Sequence, residues 1–465
     1  MGKTFAEKIL SLKSGREVSA GDIVIVTPDY CLSHENAAPV SQTFSKLAQR
    51  VWDPSRIVIT LDHTVPAPAE SYANVHAEIR RFVKEQGIAH FYDLNCHGGI
   101  CHQIMCQEAY AMPGRLIIGT DSHTCTAGAV GAFATGIGRS EMASIWACGE
   151  IWLKVPQTIR VVLRGHLRPG VYAKDLALYL VGRLGAGGAS YQCLQFEGEG
   201  AAALSVAERM TVCNMGVEMD AKAAVFRPDD TVREFLQGKK TDEAQCIWAD
   251  EDAQYTRTIE IDLEQIEACV AQPSRVDNYC PLRKLEHVPV DQAFIGACTN
   301  GRLEDIRVAA EILRGKRVAV RTIIMPASCK VLEDLDPEFA QHVQKGDILL
   351  GGWNWGVGSA REQAVKAVKF CGVQAIIAKS FARIYFRNCL NEGLLAIACP
   401  AAVDAMKGGE QIEIDLEHSC IRTPEGEFCF EPYPEYVRGL VESGGIIPYT
   451  REKLRRLEEK RRAEG

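Results

Sequence analysis

Three apolar, strand-like segments of this sequence each end in side chains that can hold protons or bind ligands. Those side chains are Asp62 and His63 after the first segment, His102 in the turn after the second, and Asp121, Ser122 and His123 after the third. In parallel α/β sheets, ligands bind beyond the carboxyl ends of the strands. Carboxylates and imidazoles gathered there can donate or accept protons. Three such segments in one chain therefore predict a shared functional site.

A second chemical feature is a cysteine in the polar turn Gly296–Arg302. The preceding residues, Ala293–Ile295, are typical of the end of a buried strand, and helical spacing follows from Leu303. Backbone N–H groups and the helix dipole favour a thiolate at such a turn. Cys298 could then act as a nucleophile or bind a metal. A buried, inert cysteine is the alternative that the residues leave open.

The run Asp121-Ser122-His123 invites comparison with a serine hydrolase. Neighbours on an extended chain point to opposite faces, so these side chains are not expected to form one hydrogen-bonded relay. The sequence also lacks a G-x-S-x-G motif. A serine hydrolase is therefore not predicted.

The cysteines predict a reducing compartment rather than a disulfide framework. Eighteen of them are scattered through apolar segments of a long chain. Cys96, Cys101 and Cys106 recur at five-residue spacing, whereas metal sites usually place two to four residues between ligands. These three are therefore predicted to be structural.

A glycine-rich loop, Gly351–Gly358, leads into a predicted helix and resembles an anion site. Backbone N–H groups point outward at such a helix start, and Arg361 adds a planar fork for a carboxylate. Ser359 either caps the helix or, if neighbouring donors hold it as an alkoxide, serves as a base.

Composition and charge limit the class of protein. The chain has 465 residues, of which 47% are hydrophobic, and this is enough for two to four domains. A net charge of −8 does not indicate the basic surface that binding of nucleic acid requires. No apolar run reaches membrane-spanning length, and no signal peptide is recognisable. We therefore expect a cytoplasmic protein with no nucleic-acid or membrane partner.

Strand-like and helix-like segments alternate along the chain, which predicts an α/β fold. Residues 21–26 are expected to form a buried strand, and residues 228–275 are expected to carry surface helices. Glu218 ends a largely apolar stretch, where a carboxylate is rare unless it is paired or functional. After residue 347 the pattern predicts a separate small domain. Its elements are strands at 347–350 and 373–378, a helix at 359–371, β-hairpins over 411–430 and a helix from 451.

The cysteine turn resembles the turn that carries the first cluster ligand in the aconitase family. Gly99–Gln103, Gly119–Thr124 and Lys379–Arg383 resemble other motifs of that family. Residues 1 to about 325 are similar to the large subunit of 3-isopropylmalate dehydratase and homoaconitase, and residues from about 329 to the small subunit. The resemblance implies aconitase-like three-layer α/β/α domains over 1–290, a truncated third, cluster-binding domain over 291–328, and a swivelling β/α domain over 329–465.

The resemblance also implies a role for each candidate residue. Asp62 and His63 would protonate a departing hydroxyl, while His102, Asp121 and His123 would form active-site hydrogen bonds. Ser122 would contact substrate, Glu218 would assist at the iron-bound hydroxyl, and Cys298 would ligate a 4Fe–4S cluster. Ser359 would be the catalytic base, and Arg361 would bind a substrate carboxylate. The family usually has a second serine where this chain has Ala360. The implied reaction moves a hydroxyl between adjacent carbons of a hydroxy-di- or tricarboxylate. The 3-isopropylmalate dehydratase reaction of leucine biosynthesis is the leading candidate, and homoaconitase, aconitase and dimethylmalate dehydratase reactions are the alternatives.

One family feature is missing from this sequence. Family members complete the cluster with a C-x-x-C pair after the first ligand, and no C-x-x-C occurs in this chain. Met325–Ser328 leads almost directly into the segment that resembles the small subunit. The truncation predicts an exposed apolar edge and hence a partner subunit or a homo-oligomer. A non-catalytic remnant or scaffold is the alternative from another functional class.

Overall fold

A computed structural model describes most of the chain in two compact units. The described residues are 2–65, 67–94, 97–239, 244–286, 288–316, 318–331, 346–352, 355, 365, 368–369, 372–381, 383–446, 448–452, 455–456 and 459. The first unit is Met1–His63 with Asn74–Leu335, and the second is Thr64–Ala73 with Asp336–Gly465. No helix among the described residues of either unit is long and apolar enough to cross a membrane.

The helices and strands alternate through most of the chain, as the sequence pattern predicts. The helices are α1 (Phe5–Ser14), α2 (Ala37–Phe44), α3 (Glu70–Gln86), α4 (Cys101–Gln107), α5 (Arg139–Cys148), α6 (Ala173–Leu184), α7 (Glu199–Ala203), α8 (Val206–Asn214), α9 (Asp230–Phe235), α10 (Leu303–Leu313), α11 (Arg383–Asn391), α12 (Pro400–Ala405) and α13 (Glu435–Glu442). The strands are β1 (Ile23–Val26), β2 (Tyr30–Ser33), β3 (Ile57–Thr60), β4 (His90–Tyr92), β5 (Leu116–Gly119), β6 (Phe133–Gly136), β7 (Ile151–Lys154), β8 (Gln157–Arg164), β9 (Gln192–Glu197), β10 (Ala223–Phe226), β11 (Arg257–Asp262), β12 (Cys269–Ala271), β13 (Tyr279–Pro281), β14 (Gln292–Ile295), β15 (Arg321–Ile324), β16 (Ile348–Gly351), β17 (Ala375–Ala378), β18 (Leu395–Ala398), β19 (Glu413–Asp415), β20 (Cys420–Thr423) and β21 (Gly426–Cys429).

A five-stranded parallel sheet forms the frame of the first unit. Its strand order is β4-β3-β2-β5-β6. The central strands β3 and β5 are fully buried, as expected of short runs rich in isoleucine and valine that are covered on both faces. Because all five strands run parallel, the segments that follow them emerge at one edge. The three predicted strands thus place their terminal side chains together.

One prediction about the first unit is wrong and another is incomplete. Residues 21–26 do not form a fully buried strand, because β1 pairs only with β7 and leaves Ile23 and Ile25 60% and 63% exposed. The described part of residues 228–275 contains helix α9 and a 3-10 helix, but it also adds β11 to the parallel sheet β10-β9-β8-β11 and contains β12. The reason lies in the alternation of β11, where Ile259 and Ile261 are buried and their neighbours are exposed.

The strand before the cysteine turn is also less buried than predicted. β14 pairs in parallel with β15 alone, in a two-stranded sheet. Phe294 on β14 is 50% exposed and Ile324 on β15 is 47% exposed. An isolated pair of strands buries too little apolar surface for independent stability. The expected exposed apolar edge is therefore present in the described part of this unit.

The second unit contains a parallel sheet, β16-β17-β18, and an antiparallel sheet, β19-β20-β21. The latter confirms the hairpins predicted over 411–430. The helix predicted over 359–371 lies mostly outside the described residues, although 365, 368 and 369 are helical and Gly372 has a φ of +92°. The described residues of the helix predicted from 451 are helical. Helix α13 was not predicted.

The exposed apolar side chains of β14 and β15 predict self-association of the isolated chain. We expect light scattering to show a mean mass that rises with protein concentration, because covering Phe294 and Ile324, which lie on opposite faces of this two-stranded sheet, removes apolar area from water. The double variant Phe294→Ser, Ile324→Ser should lower that mass. Leu47→Ser, which alters an apolar side chain that is 59% exposed elsewhere, is the control. A monodisperse monomer of the unaltered chain would contradict the prediction.

Candidate active site

Asp121 gathers three histidines that come from three different strand ends. Its carboxylate oxygens lie 3.0 Å from His63 Nε2 and 2.8 Å from His102 Nε2. The backbone N–H of His123 donates to the same carboxylate at 2.8 Å. Asp121 is 9% exposed and precedes a 3-10 helix, Ser122–Val130, which it caps. A carboxylate with this little solvent requires such donors.

The charges in this cluster favour a protonated imidazole next to an ionised carboxylate. Burial raises the pKa of Asp121, but hydrogen bonds from His102, His123 and His63 outweigh it and hold that pKa far below its ordinary value. Hydrogen bonds to Asp121 and then to Asp62 raise the pKa of His63 to about 10, against the opposing effect of burial. His63 is therefore an imidazolium at neutral pH.

Asp62 orients His63 from the other side of the ring. Its Oδ1 lies 3.0 Å from His63 Nδ1 and accepts a hydrogen bond from the Thr60 hydroxyl at 3.2 Å. The backbone N–H of Cys101 donates to Oδ2 at 2.7 Å. The end of β3 and the start of α4 thus fix this carboxylate, and the carboxylate in turn fixes the imidazole.

A second proton-bearing pair lies beside the first. His123 Nε2 is 3.3 Å from Glu218 Oε1, and these side chains are 24% and 33% exposed. Burial lowers the pKa of His123, but hydrogen bonds and charge attraction from Asp121 and Glu218 leave it raised overall. Glu218 reaches the site from a 3-10 helix, Met215–Met219.

The prediction that Asp121, Ser122 and His123 would point apart is wrong. Ser122 Oγ lies 3.2 Å from His123 Nδ1, and the same nitrogen is 3.6 Å from Asp121 Oδ1. The cause is local, since the chain turns into the 3-10 helix at Ser122 instead of continuing extended. The serine and the aspartate lie beside the same ring nitrogen, so these three side chains form no Ser–His–Asp relay, as predicted.

Sequence reasoning missed His34 and Glu35, which follow β2. The His34 ring stacks on His63 with centroids 3.9 Å apart, and the backbone N–H of His63 donates to the Glu35 carboxylate at 3.1 Å. The short strand before them, β2, was not predicted, so the polar residues 33–39 were not recognised as the end of a strand. A fourth apolar run ending in titratable side chains was the available signal.

The metal-binding capacity of this cluster is limited by its own hydrogen bonds. Donor atoms of His34, Glu35, Asp62 and His63 lie within 4.8 Å of one another, close enough for one ion. Both ring nitrogens of His63, however, already face carboxylates. We therefore interpret the group as a proton network.

Cys298 lies in a turn that tertiary contacts hold in place. Its Sγ is 3.9 Å from Asn214 Oδ1. The buried Arg302 guanidinium donates to the carbonyl oxygens of Thr299 at 2.6 Å and Cys298 at 3.3 Å. Ala297 has a φ of +114°, which is uncommon without such support.

The expected thiolate at Cys298 is not favoured. Burial raises the pKa of this thiol, although Asn214, Lys174 and His63 oppose the shift. The dipole argument does not apply, because α10 begins only at Leu303. A bound metal would be needed to make this sulfur a thiolate.

The remaining predicted residues divide into two groups. Cys101 and Cys106 are fully buried, and burial raises the pKa of both thiols, that of Cys106 to about 12, as expected of structural cysteines. Cys96, Ser359 and Arg361 lie outside the described residues.

Two protein-family models match this chain, one over its first part and the other over its second part. A model of the aconitase family (aconitate hydratase) matches residues 7–286, and a model of the aconitase C-terminal domain matches residues 293–402. The 3-isopropylmalate dehydratase large subunit 1 of Methanopyrus kandleri is 45% identical over 335 residues, which are 71% of this chain and 80% of that protein. A probable methanogen homoaconitase large subunit of Methanosarcina mazei is 47% identical over 306 residues, 65% of this chain and 78% of that protein. A solved 3-isopropylmalate dehydratase from Methanocaldococcus jannaschii is 36% identical, with a TM-score of 0.26, over 28% of this chain and 78% of that one.

Removing the carboxylate at the centre of the network should release the His63 proton. In Asp121→Asn we expect the pKa of His63 to fall from about 10 toward 6.5, because the strongest cause of the shift is lost. Asp62→Asn should produce a smaller fall. Nitrogen NMR of the imidazole across a pH series measures both.

The same shift has a consequence for stability. A pKa raised by folding stabilises the native state fully below pH 6.5, and this contribution is lost as the pH rises through about 10. The destabilising effect of His63→Asn should therefore be greatest at low pH. A His63 that titrates near pH 6.5 in the unaltered chain would contradict both expectations.

Proposed function

Since this chain belongs to the aconitase family and is a hydro-lyase, we propose that it interconverts hydroxy-di- or tricarboxylate isomers by dehydration and rehydration, with 3-isopropylmalate as the leading substrate. One observation carries the chemistry, namely that a buried aspartate holds three histidines. The names of the relatives support the choice of substrate and leave homocitrate-type acids as the alternative.

His63 is the proposed acid for the departing hydroxyl. Its side chain is 42% exposed, whereas His102 is 3% exposed and faces only the protein. A proton held on His63 between two carboxylates can pass to the hydroxyl as the carbon–oxygen bond breaks, which releases water. Asp62 keeps the ring oriented, and Asp121 stabilises the positive charge of its protonated form. The same groups activate water in the return direction.

The His123–Glu218 pair is proposed to contact the hydroxyl from another side. Both side chains are partly exposed and share a hydrogen bond. The family resemblance assigns removal of the neighbouring carbon's proton to Ser359, binding of a substrate carboxylate to Arg361 and a contact with substrate to Ser122. Of these, the structure describes Ser122, whose hydroxyl lies beside His123.

The described residues do not fit a complete iron–sulfur cluster site. Membership of the family implies a 4Fe–4S cluster, and the resemblance of the Gly296–Arg302 turn gives Cys298 the role of its first ligand. A cluster held by cysteines needs more thiolates than one. Cys298 belongs to no group of three metal-binding side chains within the described part, and the whole sequence lacks C-x-x-C.

A second polypeptide is therefore the proposed source of the missing ligands. Strand β14 ends just before the turn that carries Cys298, and β15 follows after α10. A partner that covers these exposed strands would therefore approach the thiol. The division of the chain at residues 290 and 328 and a cytoplasmic location stay predictions.

The acid role of His63 predicts a loss of turnover on substitution. His63→Asn should lower kcat by about two to four orders of magnitude, the usual contribution of a positioned acid. Formation of the unsaturated intermediate from 3-isopropylmalate, followed by its ultraviolet absorbance, measures the rate. His166→Asn alters an exposed histidine and is the control. Unchanged turnover in His63→Asn would refute the assignment.

The incomplete ligand set predicts little iron on the isolated chain. After anaerobic reconstitution we expect less than one cluster per chain by iron and acid-labile sulfide analysis, because Cys298 alone is a poor site. Cys298→Ser should remove what remains. One stoichiometric cluster on the isolated chain would mean that other cysteines of this chain complete the site. Absence of iron even with an added partner chain that carries a C-x-x-C pair would favour the scaffold alternative.

A further inference from the structure

Lys174 is a cation in a position that its own helix does not favour. It lies in the first turn of α6, where the helix dipole disfavours positive charge. Its side chain is half-buried, and burial lowers the pKa of its ammonium, while Cys298, Glu218 and Asp305 oppose that effect by charge attraction. Neither the helix dipole nor hydration stabilises the positive charge of an ammonium in this position, so another group must compensate it.

The contacts of Lys174 place it between the two segments that carry Cys298 and Glu218. Its Nζ donates to the Thr299 hydroxyl at 3.0 Å, and Thr299 follows Cys298. The same nitrogen is 3.8 Å from the sulfur of Met215, which begins the 3-10 helix that carries Glu218. The ammonium thus borders both the cysteine turn and the 3-10 helix that carries Glu218.

The ammonium has unused capacity for an anion. It carries three donors, and its partners in the described part of the chain are one hydroxyl and one thioether, which is a weak acceptor. No carboxylate oxygen of the described residues lies within salt-bridge distance of it, in contrast to Lys3, Lys8 and Lys13. The chain as a whole has a net charge of −8, so an anionic ligand must be held by local cations.

We propose that Lys174 receives one carboxylate of the substrate and determines that the site takes a dicarboxylate. The carboxylate lies on the ammonium between the cysteine turn and the Glu218 helix, and the hydroxyl end of the ligand extends toward His123 and His63. This inference rests on the proposed function for the class of ligand. It adds an anchor within the described part of the site, whereas Arg361 lies outside it.

Binding of matched acids tests the proposal without turnover. The probes are 3-isopropylmalate and the two monocarboxylates that lack one or the other of its carboxylates, 2-hydroxyisocaproate and 2-hydroxymethyl-3-methylbutanoate, measured by calorimetry. In Lys174→Met, affinity for the dicarboxylate should fall by at least about 10-fold, as for a lost charged hydrogen bond. One monocarboxylate should show the same fall, and the other, which lacks the carboxylate that Lys174 receives, should be unaffected. Lys174→Arg should restore most of the affinity.

Two controls separate recognition of the carboxylate from support of the turn. Thr299→Val removes the hydrogen bond to Lys174 but keeps the ammonium, so it should retain the preference for the dicarboxylate. Lys222→Met alters another half-buried lysine, which lies over the Tyr191 ring, and should bind all three acids as the unaltered chain does. Thermal melts verify folding, and Lys174→Gln replaces Lys174→Met if the latter unfolds.

The outcomes distinguish this inference from the proposed function. An equal loss for all three acids in Lys174→Met, or a similar loss in Thr299→Val, would overturn it in favour of a structural lysine. Absence of binding to the unaltered chain would overturn it as well, since the ligand class would be wrong. A carboxylate-dependent loss, together with no turnover after reconstitution with a partner chain that carries a C-x-x-C pair, would support Lys174 and refute the reaction.

Discussion

The buried carboxylate of Asp121 is the constraint on which the site depends. An ionised group with so little solvent is stable only if donors surround it, and its donors here are two imidazoles and the backbone N–H of a third histidine. Those histidines come from separate strands, so the carboxylate ties the sheet edge together. The strand order β4-β3-β2-β5-β6 brings those ends side by side. Sheet register and site geometry are therefore parts of one arrangement.

The site consists of two halves with opposite electrostatic character. The sheet half holds a shared proton among His63, Asp62 and Asp121, where each hydrogen bond raises the affinity of the imidazole for that proton. The other half places the cations Lys174 and Arg302 around the Cys298 turn. The His123–Glu218 pair lies between them. Such an arrangement suits an anionic ligand that must receive a proton at one end.

The two halves are supported unequally by the rest of the chain. The sheet half lies on strands that are buried on both faces. The cysteine half follows β14, which has a single paired strand and an exposed phenylalanine. This difference accounts for a complete proton network beside an incomplete ligand set. It also indicates where a second polypeptide would contribute most.

The sequence alone determined the strand ends, the cysteine turn and most of the acid network, because apolar runs and the polar residues after them are local signals. Asp62, His63, His102, Asp121 and His123 were predicted in this way. Tertiary structure decided what local patterns do not encode: the 3-10 turn that joins Ser122 to His123, and the stacking of His34 on His63. It also decided the charge states, since the pKa of Cys298 or His63 depends on burial and on partners distant in sequence. Long-range packing set these features, and for that reason only the folded chain reveals them.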